Sequence, residues 1–334
     1  MTSLHTLDQR LLDQRLTGGT SPGLRARYNT PIMTKFIAAK FGNGQALAAR
    51  ISPEQAIKYP EYWDSEQHIK YGEYWDADMQ SYMYLQDFVK TTPGYQEELK
   101  SVIAKFIEEE KKKERQFDDE IRDMLELAPE REERFTEIID QDDADGAANY
   151  WLGMMQISPA RHPATYLMVR VGRRIGEHVV MCLKGYYRAP RPSQVCPAII
   201  PMIDPPDTPS FPAGHAVQAY LISYLLAYSL PKIPQQYTPN DLDEAKGPLF
   251  DLAYRVSQNR VVAGLHYPID ITAGKAVGIA CFDALRNVNS IWGDKDRETG
   301  EFKEQPERHR LTIDTSLEEK SLRARVREEF PQYR

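Results

Sequence analysis

Three short segments in the second half of the chain gather side chains that suit a tetrahedral oxyanion. The first is Lys184-Gly-Tyr-Tyr-Arg188-Ala-Pro-Arg191-Pro192, with three cations in eight positions. An arginine fork and a lysine point charge held this close fit an anion such as phosphate. Cations at a helix end also complement the helix dipole, which would explain them without any ligand. The second is Pro209-Ser-Phe-Pro-Ala213-Gly214-His215, directly before an apolar run. Gly214 lets the backbone approach a ligand closely, a helix start supplies free N–H groups, and His215 is a candidate general acid. An ordinary Pro/Gly turn with a capping histidine would read the same way. The third is Asn259-Arg260-Val-Val-Ala-Gly-Leu-His266-Tyr-Pro268-Ile-Asp270. If Pro268 opens a helix, Asp270 lies in its first turn and can hold the N–H of His266. The other ring nitrogen is then left as a nucleophile or metal-atom ligand, with Arg260 adding another charge to the anion. A capping aspartate beside a packed histidine is the plainer alternative.

Taken together, the three segments resemble the type 2 phosphatidic acid phosphatase superfamily, which includes non-specific acid phosphatases and vanadium-dependent haloperoxidases. The family pattern is K-x6-R-P, then P-S-G-H, then S-R-x5-H-x3-D. This chain reads Lys184-x6-Arg191-Pro192, then Pro212-Ala213-Gly214-His215, then Asn259-Arg260-x5-His266-x3-Asp270. The resemblance covers roughly Arg170 to Leu285, and it looks closest to a soluble bacterial-type member. It implies that Lys184, Arg191 and Arg260 bind the equatorial oxygens of phosphate or vanadate, helped by the Gly214 amide. In a phosphatase, His266 attacks phosphorus, Asp270 orients it, and His215 protonates the leaving oxygen and then activates water. In a haloperoxidase, His266 is the vanadium ligand and His215 assists peroxide activation. No divalent metal is required, because fixed cations supply the charge stabilisation.

Two positions depart from the pattern. Ala213 replaces the usual serine, and losing one transition-state donor can cost about 2.7–4 kcal/mol. Ser210 is nearby, but its position does not match that serine. Asn259 replaces the serine before the arginine, with an amide that can still donate. With Arg188, these two positions are read as support around the site.

The elements that must carry these residues read as helices. Thr34 to Leu127 is helical in pattern, with Val102, Phe106, Phe117, Ile121 and Leu125 at helix spacing and the charge block Glu108 to Arg115 as a solvated face. Asp140 to Gly146 fails as a calcium loop, because the first ligand position would be Gln141 and the twelfth Leu152. Helices are expected over Ala164 to Leu183, Ala216 to Leu230, through Leu252 and Val256, and over Pro268 to Leu285. The connection Arg188 to Pro212 and the stretch Pro231 to Gly247 read as loops, and the tail as helical around Leu317 to Glu328. No strand-type alternation is evident, so the fold class is all-α, a helical bundle of the acid phosphatase/vanadium haloperoxidase type. The organisation reads as a helical N-terminal part with a polar extension (1–150), a catalytic bundle (151–290) and a charged tail (291–334), integrated as one domain. Glu61-Tyr-Trp-Asp64 recurs as Glu73-Tyr-Trp-Asp76, too short an echo for a structural repeat. Tyr186, Tyr187 and Tyr267 suit the pocket wall and core packing equally. His5, His68, His162, His178 and His309 have no metal-ligand spacing.

Composition narrows the function classes. The 334 residues carry a net charge of −7, which argues against generic nucleic-acid binding. Three cysteines are too sparse for a disulfide framework. Neither a signal-peptide core nor a membrane span of about 20 apolar residues is evident, so a cytoplasmic location without membrane insertion is expected. Long helices and a charged tail are compatible with a homo-oligomer. The first functional expectation is a metal-independent phosphomonoesterase or phosphotransferase acting through phosphohistidine, with a small phosphorylated substrate and no cofactor. The second is a vanadium-dependent haloperoxidase using vanadate, peroxide and halide. The third, prompted by Ala213, is a weakly active or non-catalytic oxyanion-binding protein.

Overall fold

The computed structural model describes residues 75–114, 116–142, 144–230, 245–295, 302–303 and 321–330. The polar run Met1 to Pro31, the first Glu-Tyr-Trp-Asp copy, most of the expected loop after Leu230, and His5, His68 and His309 lie outside the described residues. In chain order the helices are α1 (Ala77–Thr91), α2 (Tyr95–Lys112), α3 (Phe117–Leu127), α4 (Phe135–Asp140), α5 (Ala144–Met154), α6 (Pro163–Tyr187), α7 (Pro192–Val195), α8 (Gly214–Ser229), α9 (Pro248–Val262), α10 (Pro268–Leu285), α11 (Asn289–Trp292) and α12 (Leu322–Glu329). A short 3₁₀ turn, Ala128–Arg131, follows α3. The fold is all-α; among the described residues the only strand pairing is a two-residue antiparallel ladder, Asp294–Lys295 with Phe302–Lys303.

The apolar run after Gly214 becomes the central helix, α8, because it is apolar all round and must be covered all round. Its residues from Ala216 to Ala227 are buried, against α6, α9 and α10. Each large aliphatic side chain buried there contributes about 1.5–3 kcal/mol. Ser223 is satisfied inside: Trp151 Nε1 donates to Ser223 Oγ at 2.9 Å, and that hydroxyl donates to Leu249 O at 2.8 Å. Packing is tight enough to need glycine on α10. A Cβ at Gly274 would lie 2.7 Å from Ala216 Cβ and 2.9 Å from the Ala213 carbonyl, so nothing larger keeps α10 this close to the start of α8.

Several helix boundaries follow local rules. Proline opens α6, α7, α9 and α10 near their first positions, where its missing N–H costs nothing. Arg191 and Tyr267, each before a proline, take the extended backbone that this position favours (φ −73°, ψ 153° and φ −74°, ψ 155°). The expected helix over Ala164 to Leu183 runs one turn further, to Tyr187, and so includes Lys184. The notional boundary between residues 150 and 151 falls within α5.

The charge block on α2 is solvated as expected, with exposed i,i+3 pairs Lys111–Glu108 and Lys112–Glu109. The apolar register is offset from the expected one. Leu99, Ile103 and Met124 are buried and the expected Phe106 and Ile121 pack against the core partly buried, whereas Phe117 and Leu125 are 51% and 44% exposed. Part of the charged tail is integral. Leu322 and Val326 of α12 are buried, and Glu329 accepts from the N–H groups of Ala164 and Thr165 at 2.6 and 2.9 Å, an anion on the positive end of α6. The acidic stretch after α4 also has a structural use, since Asp145 pairs with Arg170 and Arg173 of α6. Among the described residues no helix is long and apolar enough to cross a membrane.

Candidate active site

Lys184 sits in the last turn of α6, Arg191 at the start of α7, Gly214 and His215 in the first turn of α8, Arg260 in the last turn of α9, and Asp270 in the first turn of α10. Backbone bonds draw these ends together: Ser210 N donates to Ala189 O at 2.9 Å and Ala213 N donates to Asp270 O at 3.0 Å. Lys184, Arg191, Arg260, His266 and Asp270 are all at most 4% exposed. So many cations are rarely buried together without a counter-charge.

The His266 ring has a defined tautomer. Arg191 Nη1 lies 3.1 Å from Nε2, and arginine can only donate, so Nε2 carries the lone pair. The ring proton is therefore on Nδ1, 3.1 Å from Asp270 Oδ2. That carboxylate oxygen also accepts from Tyr267 N at 3.0 Å and from Ser210 Oγ at 2.5 Å. Burial, followed by the charges of Arg191 and Lys184, outweighs Asp270 and holds the imidazole neutral, with its pKa down at about 4. A neutral imidazole with its back nitrogen anchored and its front lone pair beside a guanidinium is poised as a nucleophile or ligand.

The cations face the same space. Lys184 Nζ donates to Thr208 Oγ1 at 3.2 Å, and Arg191 reaches that oxygen with Nη2 at 3.1 Å and Thr208 O with Nε at 2.9 Å. Arg260 donates from Nη2 to Ile138 O at 2.9 Å, while its Nε and Nη1 are buried with no partner among the described residues. Orphaned guanidinium donors are costly unless a ligand meets them. Burial and the neighbouring Arg191 push the Lys184 pKa down to about 7, and burial brings Arg260 to about 10. The start of α8 adds N–H groups with no acceptor inside the helix. At Gly214 a Cβ would meet only Val180, at 3.5 Å.

His215 is set by a segment outside the three motifs. Its Nε2 lies 2.8 Å from Gln141 O and must donate to that carbonyl, which directs Nδ1 to the other side. Burial, then Arg260 and His266, holds its pKa well below the ordinary value. The segment carrying Gln141 is clamped to α9. Glu137 accepts from Arg255 at 2.8 and 3.0 Å and from Asn259 Nδ2 at 2.9 Å, and Asn259 Nδ2 also donates to Gln141 Oε1 at 2.9 Å.

Lys184, Arg191, Gly214, His215, Arg260, His266 and Asp270 thus meet around one space. The three supporting positions behave differently. Ala213 is fully buried beneath α10. The Asn259 amide is taken up by Glu137 and Gln141, so it positions α4 instead of donating to an anion. Arg188, expected to support the site, does not reach it. It ends α6 in the left-handed region (φ 51°), is exposed, and donates from Nε to Gly185 O at 3.0 Å, away from the site. Tyr187 packs edge-on against Phe211, Tyr267 lies against Phe117, and Tyr186 is 61% exposed. His162 stacks on Phe330 and His178 accepts or donates to Tyr95 Oη at 2.6 Å. Thr208, Ser210 and Gln141 are the site residues that sequence reasoning did not assign. Ser210 stood inside the second segment but off the position of the pattern's serine, and its hydroxyl lies behind the His266 ring, on Asp270.

Comparison with known proteins places this geometry. The chain is 27% identical over 143 residues to the decaprenylphosphoryl-5-phosphoribose phosphatase of Mycobacterium tuberculosis, in strains CDC 1551 / Oshkosh and ATCC 25618 / H37Rv. The match covers 42% of this chain and 69% of that protein. The PAP2 superfamily matches residues 166–290, the stretch that contains all three motif segments. The chain therefore carries a PAP2 superfamily domain at residues 166–290.

Proposed function

We propose that this protein is a phosphatase that hydrolyses phosphomonoesters through a phosphohistidine on His266. The observation that carries this reading is the His266 ring itself: its N–H is fixed on Asp270, and its Nε2 lone pair looks into a ring of buried, partly unpartnered cations. The similarity to a named phosphatase supports the same reading.

Lys184, Arg191, Arg260 and the α8 N-terminus bind the phosphoryl oxygens and offset the charge that develops on them. Nε2 of His266 attacks phosphorus, the P–O ester bond breaks, and the leaving oxygen takes a proton from His215. Asp270 stabilises the cationic ring formed in that step. In the second half, His215 accepts the proton of an attacking water, the P–N bond breaks and its electron pair returns to Nε2. Fixed cations carry the charge, so the chemistry proceeds without a divalent metal.

The donor set also fits vanadate. The orphaned Arg260 donors, with Lys184, Arg191 and the Gly214 amide, would hold its oxygens and His266 Nε2 the vanadium; bound vanadate would supply peroxide activation.

The test is p-nitrophenyl phosphate hydrolysis in chelator, with and without vanadate. Turnover that vanadate inhibits competitively is expected. No turnover would overturn the phosphatase reading and move the vanadate-loaded protein to a peroxide and halide assay; silence there leaves an oxyanion-binding protein.

The pH profile of kcat/KM follows from the shifted groups. His266 is neutral above its pKa of about 4, so the nucleophile is available through the mildly acidic range. Lys184 is charged below its pKa of about 7, so anion capture is complete below that pH and is lost as pH rises through it. With p-nitrophenyl phosphate, whose leaving group needs no proton from His215, an alkaline limb near 7 is expected. Lys184→Arg, which stays charged, should move that limb upward by about two units or more while lowering the plateau through poorer fit. Identical limbs in both proteins would remove Lys184 from the assignment.

A further inference from the structure

The wall between Lys184 and Arg191 is made by Thr208, a residue that the motifs leave out. Its side-chain oxygen accepts from Lys184 Nζ at 3.2 Å and from Arg191 Nη2 at 3.1 Å. A hydroxyl has two acceptor lone pairs and one O–H. Both lone pairs are in use, so the one remaining valence of Thr208 Oγ1 is its proton. No acceptor for that proton is found among the described residues. Two cations also repel the positive end of the O–H dipole, which turns the proton away from both and toward whatever anion they bind. Thr208 is only partly buried and its carbonyl is held by Arg191 Nε at 2.9 Å, so the hydroxyl is fixed in place at the boundary of the site.

The same site has lost a hydroxyl donor at position 213, where Ala213 is fully buried. Ser210 does not replace it, because its proton is committed to Asp270 Oδ2 at 2.5 Å. We propose that Thr208 donates its hydroxyl proton to the bound phosphoryl group, supplying from the loop before α8 the donor that Ala213 cannot. This rests on the oxyanion-site reading above. It makes Thr208 a substrate-binding residue and explains how an alanine is tolerated at the start of α8.

The experiment compares Thr208→Val, Thr208→Ser, Ala213→Ser and the double variant Thr208→Val/Ala213→Ser. Each is read by p-nitrophenyl phosphate kinetics and by calorimetric binding of inorganic phosphate. Valine keeps the shape and removes the hydroxyl, so kcat/KM should fall by about 100-fold, with weaker phosphate binding. Thr208→Ser should stay within about threefold of wild type. Restoring a donor across the site with Ala213→Ser should recover about tenfold or more in the Thr208→Val background. That recovery separates donation from a tether, because a serine at 213 cannot restore contacts to Lys184 and Arg191. A Thr208→Val protein within threefold of wild type, or a loss that Ala213→Ser does not relieve, overturns the proposal. If wild type binds phosphate but hydrolyses nothing, the phosphatase reading fails alone, and the phosphate affinities still decide the role of Thr208. If wild type binds no phosphate, both fail.

Discussion

His266→Ala is expected to lower phosphatase turnover by about 10⁴-fold or more, the scale on which removing a covalent nucleophile acts. The expectation comes from the ring's two ends. Nδ1 is fixed by Asp270, which is itself fixed by Ser210 Oγ and Tyr267 N, so the ring cannot turn to present the other nitrogen. Nε2 lies 3.1 Å from Arg191 Nη1, in line with the space the cations share. No other imidazole substitutes, because His215 is tied through Nε2 to Gln141 O. Alanine leaves a cavity, so His266→Gln is the companion variant; it fills the volume and lacks the nucleophile. Both should remain folded, with cooperative thermal unfolding, and both should still bind inorganic phosphate through Lys184, Arg191 and Arg260. Acid quenching is avoided when labelling, since a phosphoramidate is labile in acid and stable in base. Wild type pulsed with a ³²P-labelled phosphomonoester and quenched in alkali should retain label, and neither variant should. Turnover within tenfold of wild type in a folded His266→Gln protein would sink the covalent mechanism.

The parts of this site that could be read from sequence are those in which chemistry and local backbone geometry share the same few residues. Pro192 and Pro268 mark helix starts, and each fixes the residue before it in extended backbone. The His266–Asp270 pair could therefore be placed relative to its helix before any tertiary contact was known, whereas Arg191 stood in a stretch read as loop and the structure adds the short helix α7 after it. Gly214 before an unbroken apolar run did the same for α8. What could not be read depends on contacts distant in sequence. The carbonyls of Gln141 and Ile138 hold His215 and Arg260, but a backbone acceptor has no residue-type signature. The role of Asn259 is set by Glu137, 122 positions away, and so its amide looked available when it was not. Arg188 misses the site for a local reason: the helix runs on to Tyr187 and ends at Arg188 in the left-handed region, which leads the chain into Pro190 and sets the Arg188 side chain on Gly185 O. On α3 the periodicity was correct but the buried face was offset, because Met124, not Leu125, meets Ile199 and Tyr267. Spacing specifies that a face exists, and only the neighbouring elements specify which side they cover.

His215→Gln is expected to separate the two half-reactions. In the free protein, burial and the charges of Arg260 and His266 hold the imidazole neutral. A phosphoryl group brings negative charge against Arg260, which cancels the main charge opposing protonation and raises the His215 pKa toward the working range. The histidine thus gains its proton as substrate binds and is then an acid strong enough to release it to a leaving alkoxide. An alkyl phosphate needs that proton, so its turnover should fall by about 10²–10⁴-fold in the variant. p-Nitrophenolate leaves without help, so phosphorylation of His266 by p-nitrophenyl phosphate should remain fast. Water attack still lacks its base, and the variant should release one equivalent of p-nitrophenol per site in a burst and then turn over slowly. Glutamine carries an amide donor to the place of the ring Nε2, facing Gln141 O, which limits disturbance of the clamp formed by Glu137, Arg255 and Asn259. Equal losses for both substrates with no burst would mean that His215 contributes only to binding, and the acid–base assignment would then have to move to another group beside the α8 N-terminus.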